Sequence, residues 1–162
     1  MLEALIAATS LFLISAEAAP APAAYTWRTY VNVRFGYRIC YPANLLLPQP
    51  EAPNGDGRVF VAADSATLTV FGRNNAEQAS LSKTAAELAS DRAGSKGSVR
   101  YRLVRRNWAV SSGEDGGSKL FYGKTILRDD QFIIFDLVYP KALAAQYKPV
   151  VEQLARCFAA SG

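Results

Sequence analysis

The sequence predicts an α+β fold, an α-β-α sandwich in which a central antiparallel sheet carries helices on both faces. Most of the chain from Tyr25 onward alternates apolar and polar residues with the two-residue period of β-strands. Two segments, 80–94 and 141–158, follow the helical period instead. The strand predicted at 132–140 is apolar on both faces apart from Asp136, and such a strand must be covered on both sides.

The start of the chain has a different composition. An apolar run at 5–14 precedes small residues, which is typical of a secretory signal peptide cleaved near Ala18-Ala19 or as late as Ala24. Its first residues carry Glu3 and no basic side chain, so an uncleaved amphipathic or anchoring helix is the alternative. The run is too short to span a bilayer of about 30 Å. We therefore expect residues 1–18 to be removed, leaving a soluble periplasmic or secreted chain without a transmembrane segment.

The charge balance favours anionic partners. The full chain has a net charge of +4, and losing Glu3 and Glu17 with the signal segment raises this to +6. A positive chain favours an acidic protein or an anionic component of the cell envelope, and an exported protein is a poor candidate for binding nucleic acid. Residues 25–162 contain no repeat and no linker, so one domain is predicted.

The segment 35–42, FGYRICYP, predicts the position of the first cysteine. Aromatic and apolar residues alternate with the rest, as in a strand with two different faces. Gly36 marks a bend or hairpin after the preceding strand, and Pro42 ends the strand because it lacks an N–H donor. Cys40 therefore lies at the end of a strand and points away from the aromatic face.

The next elements are two strands and a helix. Residues 45–58 read as a loop, in which Asn54-Gly55-Asp56-Gly57 is a strong turn signal. This stretch is similar to part of a calcium loop, but it lacks the alternating ligands and the distal Glu, so no metal is expected. Strands at 58–64 and 66–74 meet in a tight turn near Asp64-Ser65. In the helix at 80–94, Thr84 and Glu87 predict a capping box and Gly94 predicts the end.

Four strands and a second helix complete the chain. The strands are predicted at 98–106, 107–113, 118–127 and 132–140, with short polar turns between them. In the last segment, Pro149 suits the first turn of a helix, which places Val150, Leu154 and Cys157 along one stripe.

The two cysteines of the chain, Cys40 and Cys157, are expected to pair. An even number of cysteines in an exported chain suggests a disulfide, because the compartment is oxidising. Such a bond would join the C-terminal helix to the strand near the start. Two separate buried thiols are the alternative.

The order of elements, with the phrases FGYRICYP at 35–42 and YKPVVEQLARCF at 147–158, resembles the PsbP/DcrB-like family. Members open with an aromatic-rich Y-G-F-S-I-x-Y-P strand and close on a helix ending in I-x-x-S-F, where Cys157 takes the place of the Ser. The resemblance implies an α-β-α sandwich, accessory or binding roles and no shared catalytic residue. Relatives include an extrinsic photosystem subunit and a nuclear-transport factor. The cysteines at 40 and 157 fit an exported bacterial branch.

The residue inventory leaves little room for catalysis. The chain has no histidine, which excludes Ser-His-Asp and Cys-His catalysis and histidine-ligated metals, and no cofactor is expected. Asp136 is the one carboxylate inside an apolar strand, where burial could raise its pKa and make it an acid or base. The alternative is that Asp136 pairs with an arginine or accepts backbone hydrogen bonds.

A basic run is the most distinctive surface feature. Between residues 92 and 106 the chain carries six basic residues and no acidic one: Arg92, Lys96, Arg100, Arg102, Arg105 and Arg106. Strand alternation places Arg100 and Arg102 on one face, where they could bind carboxylates or phosphates. A solvated strand whose charges discourage edge pairing is the alternative.

Together these features predict a non-enzymatic exported protein that works through protein–protein contacts. Its binding residues would be Arg100, Arg102, Arg105 and Arg106. An inhibitor or immunity-type protein that neutralises a toxin or enzyme is the first alternative, and an enzyme using Asp136 is the second.

Overall fold

The computed structural model describes residues 24–160 and shows the predicted α+β architecture. The expected signal segment, 1–18, lies outside these residues. A larger antiparallel sheet has the strand order β3-β4-β5-β9-β8-β7-β6. It is built from β3 (Leu47–Pro48), β4 (Gly57–Val61), β5 (Thr67–Asn74), β6 (Ser98–Val104), β7 (Trp108–Glu114), β8 (Lys119–Arg128) and β9 (Gln131–Pro140).

A smaller antiparallel sheet and two helices cover this sheet. The smaller sheet has the order β1-β2-β10 and consists of β1 (Trp27–Asn32), β2 (Tyr37–Pro42) and β10 (Ala159–Ala160). The helices are α1 (Leu81–Ala93) and α2 (Ala144–Cys157), and a 3-10 turn at Lys141–Leu143 precedes α2. The chain thus divides its strands between two sheets, a separation that alternation along each strand does not reveal.

The predicted hairpin at the start of the domain is confirmed. Strands β1 and β2 pair antiparallel, and Gly36 occupies the turn between them with φ of +57°. A side chain at this position would be strained, because L-residues rarely adopt positive φ. The Arg128 guanidinium donates hydrogen bonds to the carbonyls of Phe35 and Gly36, which ties the hairpin to the larger sheet. As predicted, β2 ends at Pro42.

The centre of the larger sheet is apolar on both faces, as the sequence predicts for 132–140. On one face, Ile133, Phe135 and Leu137 of β9 are fully buried beneath α2 and the small sheet. On the other face, Phe132 and Ile134 pack under α1. The sandwich therefore has helices on both faces, as predicted, and the hairpin shares one of these faces with α2.

Helix α1 lies within the predicted segment 80–94, but the predicted Thr84–Glu87 capping box is wrong. Ser80 is the N-cap: its backbone is extended and its hydroxyl accepts a hydrogen bond from the Lys83 N–H at 3.2 Å. Leu81 packs into the core directly after this cap, so burial sets the helix start and Thr84 falls inside the helix. The predicted end is confirmed, because Gly94 follows the last residue with φ of +61°.

The prediction that Pro149 lies in the first turn of α2 is also wrong. The helix starts at Ala144, five residues earlier, because the 3-10 turn after β9 leads directly into it. Pro149 is exposed within the helix, where it has no N–H to donate to the carbonyl one turn back. The apolar stripe is nevertheless as expected, since Val150 and Leu154 are fully buried.

The predicted disulfide between Cys40 and Cys157 is present. It joins the end of β2 to the last residue of α2, which lie 117 residues apart in the sequence. The bond therefore fastens the C-terminal helix to the first hairpin, on one side of the larger sheet.

Candidate docking site at the edge of the larger sheet

The basic run places its arginines on β6, the last strand of the larger sheet. Strand β6 pairs with β7 on one side, and within residues 24–160 no strand pairs with its other side. Arg100, Arg102, Val99 and Tyr101 are all exposed, and Tyr101 keeps 51% of its surface accessible. An exposed edge strand presents backbone N–H and C=O groups that another chain can bind.

A β-bulge at Arg100 separates the two arginines that the sequence placed on one face. Val99 pairs with Gly113, whereas Tyr101 pairs with Ser112, so one residue of β6 has no counterpart in β7. Paired residues share a face of the sheet. Arg102, opposite Ser111, therefore lies on the α1 face, whereas Arg100 contacts Glu114 on the other. The predicted shared face is wrong, because the extra residue reverses the alternation.

Arg100 has an acidic partner in its own chain. Its guanidinium lies 2.5 Å from a carboxylate oxygen of Glu114, and the ammonium of Lys141 lies 2.9 Å from the other oxygen. These two cations lower the pKa of Glu114 through hydrogen bonds, that of Lys141 being the stronger cause. The charge of Arg100 is thus partly neutralised within the fold, and this arginine is less available to a partner than the sequence implied.

Arg102, Arg105 and Arg106 are the exposed charges that remain. Within the described residues, none of the three forms an ion pair or a side-chain hydrogen bond. Arg105 and Arg106 lie in the turn after β6, where the Arg105 N–H donates to the Trp108 carbonyl at 2.8 Å. All three arginines are thus exposed on the edge strand or in the turn that follows it. We call Arg102, Arg105 and Arg106 the basic margin.

A groove between α1 and β6 adjoins the basic margin. It encloses about 300 Å³ and is lined by Ala86, Ala89, Val99, Arg100, Tyr101 and Arg102. Its helical wall is low because both α1 residues are alanines, and its floor includes the half-exposed Val99. Sequence reasoning did not find this groove. Small residues at 86 and 89, beside the narrow apolar stripe of the helix, were the available signal.

Arg92 belongs to a different site from the rest of the basic run. It lies in the last turn of α1 and pairs with Asp136 of β9, and their side chains are only 12% and 15% exposed. Gly123 lies opposite Asp136 on β8, and a side chain there would press on both partners. Burial raises the pKa of the Asp136 carboxyl, and the Arg92 charge opposes this effect.

Asp136 therefore has the arginine partner that the structural interpretation predicted. Helix α1 covers the carboxylate, so a substrate reaching it would have to displace Arg92. One carboxylate oxygen is buried without a hydrogen-bond partner.

The segment at 54–57 is a turn, as predicted. Gly55 has φ of +66°, and the Asn54 amide donates to the Asp56 carboxylate at 2.8 Å. The Asp56 carboxylate thus accepts its hydrogen bond from within the same turn. Within residues 24–160, no three acidic, histidine or cysteine side chains are grouped closely enough to hold a metal ion.

Comparison with solved structures shows the fold. The chain is similar to the solution structure of cyanobacterial PsbP (CyanoP) from Synechocystis sp. PCC 6803, with a TM-score of 0.64 and 13% sequence identity. The alignment covers 89% of this chain and 98% of the other. This chain has a PsbP-like fold. No protein-family model matches the sequence, and no curated protein sequence matches it either.

Within residues 24–160, neither α1 nor α2 combines the length and the apolar character that a bilayer crossing needs.

Proposed function

We propose that this protein is a non-enzymatic, exported binding or accessory protein that recognises an acidic protein through its basic margin. The observation that carries the proposal is the set of three exposed arginines without ion pairs, on the edge strand β6 and in the turn that follows it. Rim charges of this kind accelerate association with an acidic surface and select against basic partners. The PsbP-like fold is compatible with this role.

Export is the second part of the proposal. The disulfide between Cys40 and Cys157 supports an oxidising location, periplasmic or extracellular, because cytosolic thiols are kept reduced. The apolar run near the start of the sequence supports the same location. In this proposal the chain is an exported bacterial protein with a PsbP-like fold.

Charge reversal at the basic margin tests the binding role. The variant Arg102→Glu/Arg106→Glu should lose affinity for poly-L-glutamate, measured by fluorescence anisotropy at low salt, and the loss should shrink as salt rises. The control Arg28→Glu/Arg38→Glu changes the net charge equally on exposed positions of the small sheet. Equal losses in both variants would show that net charge, rather than this margin, drives binding.

The partner itself can be found by site-specific photocrosslinking. A photoreactive residue at position 105 should capture an acidic protein in cells, and the same group at exposed position 63, in the turn between β4 and β5, should not. Capture of the same proteins from both positions would contradict a specific docking margin.

The absence of catalysis is proposed because the chain has no histidine and Asp136 is paired beneath α1. Purified protein should show no turnover of generic ester, phosphate, peptide or glycan substrates. Turnover that disappears in Asp136→Asn would overturn this part of the proposal.

A further inference from the structure

We propose that the acidic partner binds as an added β-strand. An extended segment whose α1-facing residues, at every second position, are in turn small apolar and acidic pairs with the free edge of β6 and inserts an apolar side chain between β6 and α1. The inference rests on the proposed function, in which this edge recognises an acidic protein. It adds the partner's conformation and residue pattern to that function.

The edge of β6 has the backbone geometry for strand addition. Within residues 24–160 its outer side pairs with no strand, and the regular segment from Tyr101 to Val104 follows the bulge. Main-chain hydrogen bonds from such an edge supply affinity, and pockets for alternate side chains supply specificity. The bulge at Arg100 interrupts the ladder, so the added strand has its best register on the four residues 101–104.

The groove accepts one face of the added strand. Its volume of about 300 Å³ exceeds several-fold the ~30 Å³ that one water occupies in the liquid, so it has room for a side chain. Ala86, Ala89 and Val99 contribute apolar surface to its wall and floor, beside the polar groups of Arg100 and Arg102, and this surface favours a small apolar side chain there. Residues of an added strand alternate between the two faces, so every second one would face α1.

The basic margin determines the charge of the partner. Arg102 borders the groove on the α1 face, so a carboxylate two residues from the inserted side chain lies on the same face as Arg102. Arg105 and Arg106 follow at the end of the strand, and none of the three cations has an acidic partner among the described residues. A second copy of this chain would bring its own arginines against these, and like charges on paired strands are destabilising. Charge complementarity therefore favours an acidic strand over self-association.

Peptide probes test the strand geometry directly. The probe is a capped, fluorescently labelled (Val-Ser-Glu-Ser)2 peptide, in which Val and Glu share one face, with two derivatives N-methylated on all Val and Glu residues or on all Ser residues. A strand at an edge donates through alternate N–H groups only. One derivative should therefore lose affinity by about tenfold or more, as expected when several backbone hydrogen bonds are removed, and the other should bind like the parent.

A protein variant tests the groove. Ala86→Phe fills it from the helix side and should weaken binding of the parent peptide by about tenfold, since the inserted side chain loses its apolar contact. The control Ala63→Phe makes the same change in the exposed turn between β4 and β5, at the far side of the sheet, and should not affect binding. Bound peptide should also slow amide hydrogen exchange at residues 101–104.

The outcomes separate the two proposals. If binding requires Arg102 and Arg106 but ignores N-methylation and Ala86→Phe, the acidic docking function stands and strand addition is wrong. If no peptide binds, strand addition is wrong, and the photocrosslinking experiment decides the docking function separately. If the protein binds anionic phosphatidylglycerol vesicles through these arginines and ignores the peptides, the partner is a membrane surface and the inference is overturned.

Discussion

The two faces of the larger sheet are built differently. The face under α2 and the small sheet buries large side chains, among them Tyr37, Phe60, Phe135 and Tyr147, each with no more than 2% of its surface exposed. The face under α1 receives mainly alanines from the helix: Ala85, Ala89 and Ala93 accompany Leu81. It also contains two buried oxygens without hydrogen-bond partners, the Thr84 hydroxyl and one oxygen of Asp136.

This difference between the two faces suggests that the α2 face chiefly stabilises the fold and that the edge of the α1 face chiefly binds the partner. Large interlocked aromatics and a disulfide hold the α2 face, so most of the free energy of folding should depend on it. Helix α1 contacts β6, β7 and β8, and its small residues leave the groove beside the free edge. Substitutions on the α2 face should therefore chiefly change stability, and substitutions at the margin of the α1 face should chiefly change binding.

Removing the disulfide should have one of the two largest effects, both on the α2 face. Cys40→Ser/Cys157→Ser should lower the free energy of unfolding by about 4–5 kcal/mol, the loop-closure entropy for a ring of this size. Urea denaturation of both proteins measures this difference. Intact mass after alkylation without reduction should show no added groups. Two alkylated thiols in protein recovered from the periplasm would contradict the bond.

Substituting one phenylalanine of β9 on each face of the sheet compares the stability that the two faces contribute. Phe135→Ala should cost about 4–5 kcal/mol and Phe132→Ala about 3 kcal/mol. The Phe135 ring packs against Phe158 and Tyr122, with centroids 5.0 and 6.0 Å away, which cannot easily close the cavity. Arg73 lies over the Phe132 ring at 5.7 Å, and its flexible chain can fill part of the space. Chemical denaturation gives both values, and an equal or larger loss at Phe132 would refute the asymmetry.

Breaking the ion pair under α1 should have a smaller effect. Arg92→Met leaves the Asp136 carboxylate without its cation and should cost about 2–3 kcal/mol, less than the cost for a fully buried pair because both side chains keep some exposure. The double variant Arg92→Met/Asp136→Leu should recover most of the loss, since apolar side chains can replace such a pair. If the double variant is as unstable as Arg92→Met, the loss comes from the packing of these two side chains and not from the unpaired charge of Asp136.

The same pair should make stability depend on pH. Because burial raises the pKa of Asp136 above its ordinary 3.8, the folded state holds this proton to higher pH than the unfolded state. The stabilisation that comes from this difference in the pKa of Asp136 is present at low pH. It is lost as pH rises from 3.8 through the pKa of the folded state. Denaturation of the wild type and Asp136→Asn across this range should show the wild type losing stability relative to the variant.

The comparison between the two proteins isolates Asp136. The pKa values of Glu114, Asp115 and Glu152 are lowered in the fold. Their contribution to the stability of the protein is therefore lost as pH falls, and this loss is the same in the wild type and in the variant. A difference between wild type and variant that does not change with pH would mean that Asp136 keeps its ordinary pKa.

The start of α1 should give the smallest effect. Ser80→Ala removes the N-cap hydrogen bond and should cost about 1 kcal/mol. Thr84→Val removes a buried hydroxyl without a partner and should cause no loss of stability. Thermal denaturation measures both, and a larger loss at Thr84 than at Ser80 would return the cap to the position that the sequence suggested.

Local patterns in the sequence were enough to predict several features. Apolar residues on both faces of 132–140 predicted the central strand, because burial on both sides leaves no polar face. Gly36 and Gly94 predicted a turn and a helix end, because both require positive φ. The pair Cys40 and Cys157 predicted the disulfide, because an even number of cysteines in an exported chain suggests a bond and each cysteine lies on a regular element.

Features that depend on distant contacts or on one added residue were decided by the tertiary structure. Alternation along β6 cannot show a bulge, because the extra residue at Arg100 appears only against its partner β7. The pairing of Arg92 with Asp136 joins residues that are distant in the sequence, so it depends on how α1 lies across the sheet. The groove likewise exists because α1 packs beside a strand that no other strand covers, and a one-dimensional period carries no information on that placement.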